Sequence, residues 1–422
     1  MGMKQGPDIL DHWPEVRSCL PAGFDLETTA RARGAFTRVR EVKSAEALLR
    51  LALAYGACGM SLRETCAWAE AVGLASLADP SLLERLAKAA PWLGDLVAAL
   101  LAEGIEGPAR ETSGRWAGYR LRALDGTALC EPGADRTSWR LHVGYDLAAA
   151  QVDRIELSDG QGAESLQRLA YQPGDVVLAD RGYARPRDLR PVIAAGADLI
   201  VRTGWRSLRL LQPDGAPFDL FAALAAQVEQ EGELLVRVDE GREDREETAP
   251  LILRLVIRRK EPQHAQAEQK RLLKQAKKRG KRPDPRSLEA ANYILLLTSL
   301  PAESFPAVEV LTLYRLRWQI ELAFKRMKSL AGLDALPAKN PDLARTWIYA
   351  NLIVILLAER SAGQVPDSSP SGPGKPERKA APKPVALAPR QAGPRHHPRR
   401  NPRRPDMASL AQRAHQNPPP PL

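Results

Sequence analysis

The feature that most constrains the fold is a change in hydrophobic period near Gly118. Before it, apolar residues recur at helical spacing, as in the stripe of Leu48, Leu51 and Tyr55. After it, three short segments within residues 119–159 alternate apolar and polar residues, and buried strands then alternate with helices. This order predicts an all-α N-terminal domain followed by a mixed α/β sheet.

Domain boundaries follow the shifts in pattern. We expect an N-terminal arm, a helical domain, a first part of the sheet core, an insertion with a basic segment, a second part of the core and a disordered Pro/Arg-rich tail. The respective ranges are 1–36, 37–115, 116–204, 205–290, 291–360 and 361–422. Within the helical domain, a helix-turn-helix and a plain helical bundle fit the same periodicity.

Several local signals predict where elements begin and end. Ser61 followed by Glu64 is a capping-box pattern at a helix start. Pro91 is expected to interrupt the next helix, because proline lacks the backbone N–H. Residues 162–172 are predicted to form a helix between two strands, and residues 308–332 one long helix.

Basic charge is concentrated in two stretches of a chain whose formal net charge is +10. Residues 254–286 hold 13 basic and 3 acidic side chains, and residues 361–422 hold 11 basic and 3 acidic. These stretches contribute +10 and +8, which leaves −8 for the rest of the chain. Contact of the first stretch with DNA and a solvated loop both remain open.

The tail differs in composition from everything before it. Residues 361–422 contain 15 of the 35 prolines, which predicts disorder, and a natural basic tail and a change of reading frame both remain open as its origin. There is no signal-peptide or transmembrane pattern, and the four cysteines show no CxxC spacing. We therefore expect a cytoplasmic protein without membrane contact, zinc cluster or disulfide framework.

Three acidic residues lie where strands end or where a helix returns to the sheet. Asp125 is in the first predicted strand, Asp180 ends a buried strand, and Glu321 lies within a helix. Each alone is usually a solvated end or a cap. Together they supply the hard oxygen ligands that Mg²⁺ or Mn²⁺ prefers, and two such ions support phosphoryl transfer.

The helix around Glu321 carries further polar groups at helical spacing. Tyr314, Arg317 and Lys328 fall on the same predicted face as Glu321, because their offsets follow the 3.6-residue turn. Arginine binds phosphate as a planar fork and lysine as a point charge. A solvated outer stripe of an amphipathic helix is the alternative interpretation.

These motifs resemble those of the IS4-type DDE transposases. The spacing of that family's Y-R-E-K signature is matched by Tyr314, Arg317, Glu321 and Lys328. DGT at Asp125 and DRGY at Asp180 look like the motifs of its first and second catalytic aspartates. The resemblance covers about residues 37–360. It implies a ribonuclease H-like fold with a β-rich insertion, and cut-and-paste transposition with metal-dependent cleavage followed by strand transfer.

The resemblance also implies roles for individual residues. Asp125, Asp180 and Glu321 would bind two Mg²⁺ or Mn²⁺ ions. Contacts with DNA would come from Tyr314, Arg317 and Lys328 and, as weaker candidates, from Arg181 and Tyr183, for which packing at a strand–helix turn is the alternative. Tyr293 could stack on a flipped base, but an ordinary strand aromatic is the favoured interpretation.

The implied partners are double-stranded DNA and a second copy of the chain. The DNA would be the terminal inverted repeats of an insertion sequence and its target, and the second copy would complete a synaptic homodimer. The segment after Arg360 does not look like the family's helical ending. A DNA-binding relic that no longer transposes, and a stand-alone ribonuclease H-like nuclease, therefore stay open as other functions.

Overall fold

The computed structural model describes residues 10–105, 118–134, 137–227, 229–241, 249–333 and 336–364. The helices are α1 (Trp13–Ser18), α2 (Leu26–Ala32), α3 (Ala45–Gly56), α4 (Leu62–Ala71), α5 (Asp79–Ile105), α6 (Pro186–Ala194), α7 (Leu220–Ala226), α8 (Pro262–Lys278), α9 (Pro285–Ala290), α10 (Ala307–Leu316), α11 (Trp318–Ala331) and α12 (Pro341–Gln364). Apart from the last turn of α12, the predicted tail lies outside the described residues.

The strands are β1 (Arg120–Leu129), β2 (Trp139–Asp146), β3 (Gln151–Asp159), β4 (Asp175–Ala179), β5 (Asp198–Arg202), β6 (Leu210–Leu211), β7 (Glu231–Val238), β8 (Ile252–Arg259) and β9 (Tyr293–Thr298). They form one nine-stranded sheet in the order β3-β2-β1-β4-β5-β9-β8-β7-β6. Only the β1–β4 and β4–β5 pairs are parallel. The predicted mixed α/β class is confirmed. Strands β6, β7 and β8 of the predicted insertion extend the same sheet through β9.

Alternation along the strands gives the sheet two apolar faces. In β4, Val176 and Leu178 belong to the core that also contains the N-terminal helices and α10 to α12. Val177 and Ala179 point to the other face and pack in a core with α6 and α7. A continuous apolar strand of this kind is typical of a sheet that is covered on both sides.

The predicted N-terminal arm contains two short helices that join the helical core. Trp13 of α1, Ala30 of α2 and Phe36 are each at most 8% exposed and pack in the same apolar cluster as α3 and α5. Asp25 caps α2 by accepting a hydrogen bond from the Thr28 backbone N–H at 2.6 Å. Burial therefore ties this segment to the helices that follow it.

The helical part of the chain confirms one local prediction and corrects another. The Ser61–Glu64 capping box is present as predicted. The predicted interruption at Pro91 is wrong, because α5 runs through it without a break. Leu86 and Leu93 on either side of Pro91 are fully buried, and this continuous apolar stripe offsets the roughly 3 kcal/mol cost of an internal proline.

The helix predicted for residues 162–172 is also wrong. The structure has only a short 3₁₀ turn at Leu166–Arg168. The Ser165 hydroxyl donates a hydrogen bond to Asp188 at 2.6 Å, and the Arg168 guanidinium donates to the carbonyl oxygen of Ala163 at 2.9 Å. These side-chain bonds compete with helical backbone bonds, and the bond from Ser165 ties the segment to α6.

Helix α12 is long and apolar enough, by length and composition alone, to cross a membrane. The qualifying stretch is Pro341–Arg360, and 67% of its apolar window is buried inside the protein. Ala344, Ile348 and Leu352, spaced four residues apart, are fully buried in the core. This burial is typical of the central helix of a globular core.

A buried network of charges joins the first strands of the sheet. Arg122 of β1 donates hydrogen bonds to Asp153 of β3 at 2.7 Å and to Asp175 of β4 at 3.3 Å. Arg120 donates to Asp146 at 2.7 Å and to Asp153 at 2.9 Å. The side chains of Arg122, Asp153 and Asp175 are at most 6% exposed. The network therefore fixes β1 against its partner strands.

We predict that Arg122→Met lowers the free energy of unfolding by about 3–5 kcal/mol, because it leaves buried carboxylates without their guanidinium partner. The measurement is urea unfolding at neutral pH. Arg154→Met, at an exposed position of β3, is the matched control and should change stability by less than about 0.5 kcal/mol. Equal losses in the two variants would contradict a structural role for the network.

Candidate active site

The register of β1 and β4 brings two of the predicted aspartates together. The strands are parallel and pair Leu124 with Ala179. Asp125 follows Leu124 within β1, and Asp180 follows Ala179 at the end of β4. Because side chains alternate along a strand, both carboxyl groups extend toward the face covered by α10 and α11.

The long helix predicted over residues 308–332 is divided in two at Arg317. The Arg317 backbone N–H bonds to the Tyr314 carbonyl oxygen at 3.2 Å, and the Ile320 N–H bonds to the Arg317 carbonyl oxygen at 3.2 Å. These are tight i to i+3 bonds, which interrupt the α-helical ladder between α10 and α11. The predicted single helix is therefore wrong, although Arg317 itself keeps right-handed helical angles.

The junction directs three polar side chains at the strand carboxylates. The Arg317 guanidinium donates to Glu321 Oε1 at 2.7 Å, and its Nη1 lies 3.5 Å from Asp125 Oδ2. The Tyr314 hydroxyl donates to Asp180 Oδ1 at 3.5 Å. Asp125, Asp180, Glu321, Tyr314 and Arg317 therefore form one cluster, which we call the carboxylate site.

The electrostatics of the carboxylate site favour a positive charge within it. Burial, and then the negative charges of Asp180 and Glu164, raise the pKa of Asp125 to about 6 against the opposing effects of Gly126 and Arg317. Burial also raises the pKa of the Tyr314 hydroxyl, which stays protonated at neutral pH. Burial alone lowers the pKa of Arg317, but its phenol and carboxylate neighbours outweigh that effect and raise it.

The other predicted DNA contacts lie apart from this cluster. Lys328 is half-buried on α11, and within the described part of the chain it has no hydrogen bond or ion pair to the three carboxylates. Arg181 lines a separate cavity beside β5. Tyr183 is 1% exposed and packs in the core under β4, which argues against direct contact with DNA.

Tyr293 is held as an ordinary strand aromatic at the start of β9. Its hydroxyl donates to the Leu224 carbonyl oxygen at 3.3 Å, and the Arg259 guanidinium lies 5.7 Å from the centre of its ring. These contacts fit the interpretation favoured from the sequence.

A fourth carboxylate near the site escaped the sequence analysis. Glu164 accepts a hydrogen bond from Arg140 at 2.7 Å and contributes to the raised pKa of Asp125. A Cβ atom added to Gly182 would lie 2.1 Å from Glu164 Oε2, so the glycine of the DRGY motif makes room for this side chain. Nothing in its sequence neighbourhood distinguishes Glu164, because its position depends on the irregular segment that contains it.

His142 lies opposite Gly126 in the β1–β2 pair and is 1% exposed. Its Nε2 shares a hydrogen bond of 2.9 Å with the Ser158 hydroxyl, while its Nδ1 is buried without a partner in the described part of the chain. Burial, and then the charges of Arg168 and Arg140, lower the pKa of His142 to about 4. The ring is therefore neutral beside the carboxylate site.

The lowered pKa of His142 predicts that the free energy of unfolding decreases in acid. The folded-state pKa of His142 is about 4 and its ordinary value 6.5, so its contribution is complete above pH 6.5 and is lost as the pH falls toward 4. Between pH 7.5 and pH 5.0, the free energy of unfolding should therefore fall by about 2 kcal/mol less in His142→Gln than in the wild type. The measurement is urea unfolding at both pH values. Parallel losses in both proteins would exclude His142 as the source.

The donor chemistry of the carboxylate site fits divalent ions such as Mg²⁺. Its ligands are hard carboxylate oxygens on two strands and a helix, and the Arg317 guanidinium already holds a positive charge between Asp125 and Glu321. Among the described residues, no three acidic, histidine or cysteine side chains converge as a ready-made metal cage. Withdrawal of Arg317 would free oxygens of Asp125 and Glu321 for an ion.

Comparison with known proteins gives consistent matches. Residues 116–357 match the family described as "Transposase DDE domain". The putative transposase InsL for insertion sequence element IS186A of Escherichia coli (strain K12) is 43% identical over 351 residues, which cover 83% of this chain and 93% of the relative. The transposase for insertion sequence element IS421 of Escherichia coli is 43% identical over 352 residues, with the same coverage.

A more distant relative matches a smaller part of the chain. The transposase for insertion sequence element IS231F of Bacillus thuringiensis subsp. israelensis is 26% identical over 269 residues, which cover 56% of this chain and 55% of the relative.

Proposed function

This chain belongs to the family of DDE transposases, and from that premise we propose that its carboxylate site cuts and joins DNA at the ends of an insertion sequence. The observation that carries the proposal is the Arg317 guanidinium, which contacts Glu321 and lies beside Asp125. A cation-binding cluster of acidic side chains next to a phosphate-binding guanidinium suits phosphoryl transfer.

The architecture around the site supports a ribonuclease H-like core. Strands β1, β2 and β3 form an antiparallel meander, and β4 and β5 add in parallel on the other side of β1. We assign these five strands to that core. Helix α11, which carries Glu321, packs against β1.

Each residue of the site has a defined part in the proposal. Asp125, Asp180 and Glu321 hold two divalent ions, Mg²⁺ or Mn²⁺, which supply Lewis acidity for the phosphoryl transfer when they are bound. Arg317 neutralises Asp125 and Glu321 without DNA and binds a phosphate through its planar fork when it leaves them. The Tyr314 hydroxyl, which stays protonated, donates hydrogen bonds.

Arg181, Tyr183 and Lys328 have different parts. Lys328, half-buried on α11, supplies positive charge for the DNA end. Arg181 binds phosphate from the adjoining cavity, as argued below. Tyr183 acts as a packing residue that supports the turn after Asp180, since its ring is buried under β4.

We predict that Asp125→Asn, Asp180→Asn or Glu321→Gln lowers metal-dependent cleavage by more than about 100-fold, because each removes a charged ligand from the site. The substrate is a labelled duplex with the terminal repeat of the chain's own element, with Mg²⁺ or EDTA. Affinity for this duplex in EDTA should change little.

Asp214→Asn and Glu303→Gln are the matched controls, because both residues are exposed and lie outside the carboxylate site. Both should cleave at the wild-type rate. Cleavage by Glu321→Gln at the wild-type rate would exclude Glu321 as an essential ligand. Repeat binding by the wild type without any nicking would instead identify a DNA-binding relic.

Helix α8 presents a basic outer surface to solvent. Lys270, Lys274, Lys277 and Lys278 are exposed, and there is no acidic residue between positions 269 and 283. None of these four lysines has an ion pair among the described residues. The opposite side of α8 is anchored by Gln269, which donates hydrogen bonds to Leu288 and Asn292. We propose that this outer surface, the α8 lysine face, binds the DNA backbone.

The α8 lysine face predicts a specific change in salt dependence. Replacing Lys274, Lys277 and Lys278 with Gln should reduce the slope of log affinity against log salt by about 0.9 for each phosphate that the variant no longer neutralises. The same three positions changed to Arg retain the charge and should retain the slope. An unchanged slope in the Gln variant would show that this surface is a solvated helix face.

The remaining parts of the proposal concern recognition and assembly. We propose that the N-terminal helices recognise the terminal inverted repeat and that two copies of the chain hold two ends in a synaptic complex before joining them to target DNA. Helices α3 and α5 bury most of their apolar surface within the chain, which supports a stable helical platform for such contacts.

A further inference from the structure

The polar cavity lined by Arg181 lies outside the carboxylate site. It has a volume of about 90 Å³ and is enclosed by the ends of β5 and β8, the start of β9 and helices α8 and α9. Arg181, which follows Asp180 in the chain, reaches into it, and Lys260 lines it from the end of β8. The cavity is therefore formed jointly by the DRGY turn and by the inserted segment.

Positive charge exceeds negative charge in and around this cavity, where Arg181, Arg202 and Lys260 face the single acidic lining residue Glu268. Arg181, Arg202 and Lys260 have no ion pair in the part of the chain that the structure describes, and the Lys260 ammonium group donates to the Ala291 carbonyl oxygen at 2.9 Å. Arg202 Nε is buried and has no hydrogen-bond partner among the described residues. The acidic residue at the cavity, Glu268, is paired with Arg271 at 2.6 Å.

Such an arrangement costs free energy in the empty state. Burial of a cation without an anion is unfavourable, and three cations close together repel one another. Burial, and then the charge of Arg202, lower the pKa of Lys260 to about 8 against the opposing charge of Glu268. An anion in the cavity would offset both penalties.

The wall of the cavity formed by Trp205 and α9 is held by several contacts. The Trp205 indole N–H donates to the Ser287 hydroxyl at 3.2 Å, and the guanidinium groups of Arg206 and Arg286 lie 4.2 and 4.6 Å from the centre of its ring. These contacts fasten α9 to the end of β5. The cavity therefore has fixed boundaries, as a selective binding site requires.

We propose that this cavity binds a single phosphate group of the DNA backbone, next to the phosphate on which the carboxylate site acts, through Arg181 and Lys260. Its volume is far below the several hundred Å³ of a site for a nucleoside or drug-sized ligand, and this small size favours a tetrahedral anion. Because Arg181 follows Asp180 in the chain, the cavity and the carboxylate site share the DRGY turn.

Gly204 supports this assignment by the space it leaves. A Cβ atom at position 204 would lie 2.9 Å from Arg181 Nε and 3.1 Å from its Cζ. The glycine therefore lets the guanidinium lie against the end of β5, where it faces the cavity. Gly204→Ala should displace Arg181 without removing a charge.

The test pairs a protein variant with a single neutral linkage in the DNA. Terminal-repeat duplexes, each with one methylphosphonate in place of a phosphate near the cleavage point, are titrated with wild type and Lys260→Met in EDTA. For the wild type, one linkage should reduce affinity by about 10- to 100-fold, as expected when a charge-assisted hydrogen bond is removed. Lys260→Met should bind the unmodified duplex with a similarly reduced affinity. The methylphosphonate that weakens binding by the wild type should then reduce the affinity of this variant little further.

Lys278→Met, on the α8 lysine face, is the matched control. Its own loss of affinity and the loss caused by that methylphosphonate should be additive in free energy. Gly204→Ala provides a second variant in case Lys260→Met does not fold, and it should weaken the response to the same linkage. Additive losses for Lys260→Met at every linkage would overturn the proposal, as would wild-type affinity of that variant for the unmodified duplex.

A separate measurement distinguishes backbone phosphate from free phosphate. Inorganic phosphate should raise the melting temperature of the wild type but not of Lys260→Met if the cavity binds this group. Stabilisation by inorganic phosphate without coupling to any linkage would overturn the assignment to DNA. The proposal rests on the proposed function only for the identity of the DNA, and neither measurement requires cleavage, so a failure of catalysis is distinguishable from a failure of this site.

Discussion

Parallel pairing of β1 with β4 is the constraint on which the active site depends. The register that sets Leu124 beside Ala179 makes Asp125 and Asp180 neighbours, although 55 positions separate them in the chain. A slip of one residue would turn one carboxyl group to the opposite face of the sheet. The buried pairs of Arg122 with Asp153 and Asp175 oppose such a slip, because charged groups buried together tolerate few alternative partners.

Arg317 links this frame to the helical side of the site. Its guanidinium satisfies Glu321 and lies near Asp125, and these contacts give the DNA-free protein an internal counter-ion. The same group is the side chain best suited to a phosphate in this cluster. Phosphate binding draws the Arg317 guanidinium away from its carboxylate partners, and a metal ion needs those same carboxylate oxygens. We therefore expect metal binding and phosphate binding to favour each other.

Sequence reasoning predicted the parts of the molecule that depend on local pattern. The change of period, the Ser61 cap and the motifs at Asp125, Asp180 and Arg317 are all local, and the mixed sheet followed from them. Features that depend on tertiary contacts could not be predicted from the sequence. The helix that continues through Pro91 is stabilised by burial, and the break at Arg317 accompanies contacts with carboxylates from distant segments. Glu164 had no signal at all.

The placement of the inserted segment changes how the active site is bounded. Strands β6, β7 and β8 continue the core sheet through β9. This continuity brings Lys260, at the end of β8, to the same cavity as Arg181 beside Asp180. The acidic cluster of the carboxylate site then adjoins a cationic cavity. A phosphodiester strand carries one negative charge per linkage, so anchoring one phosphate in the cavity would hold its neighbour near the carboxylates while the divalent ions offset their repulsion.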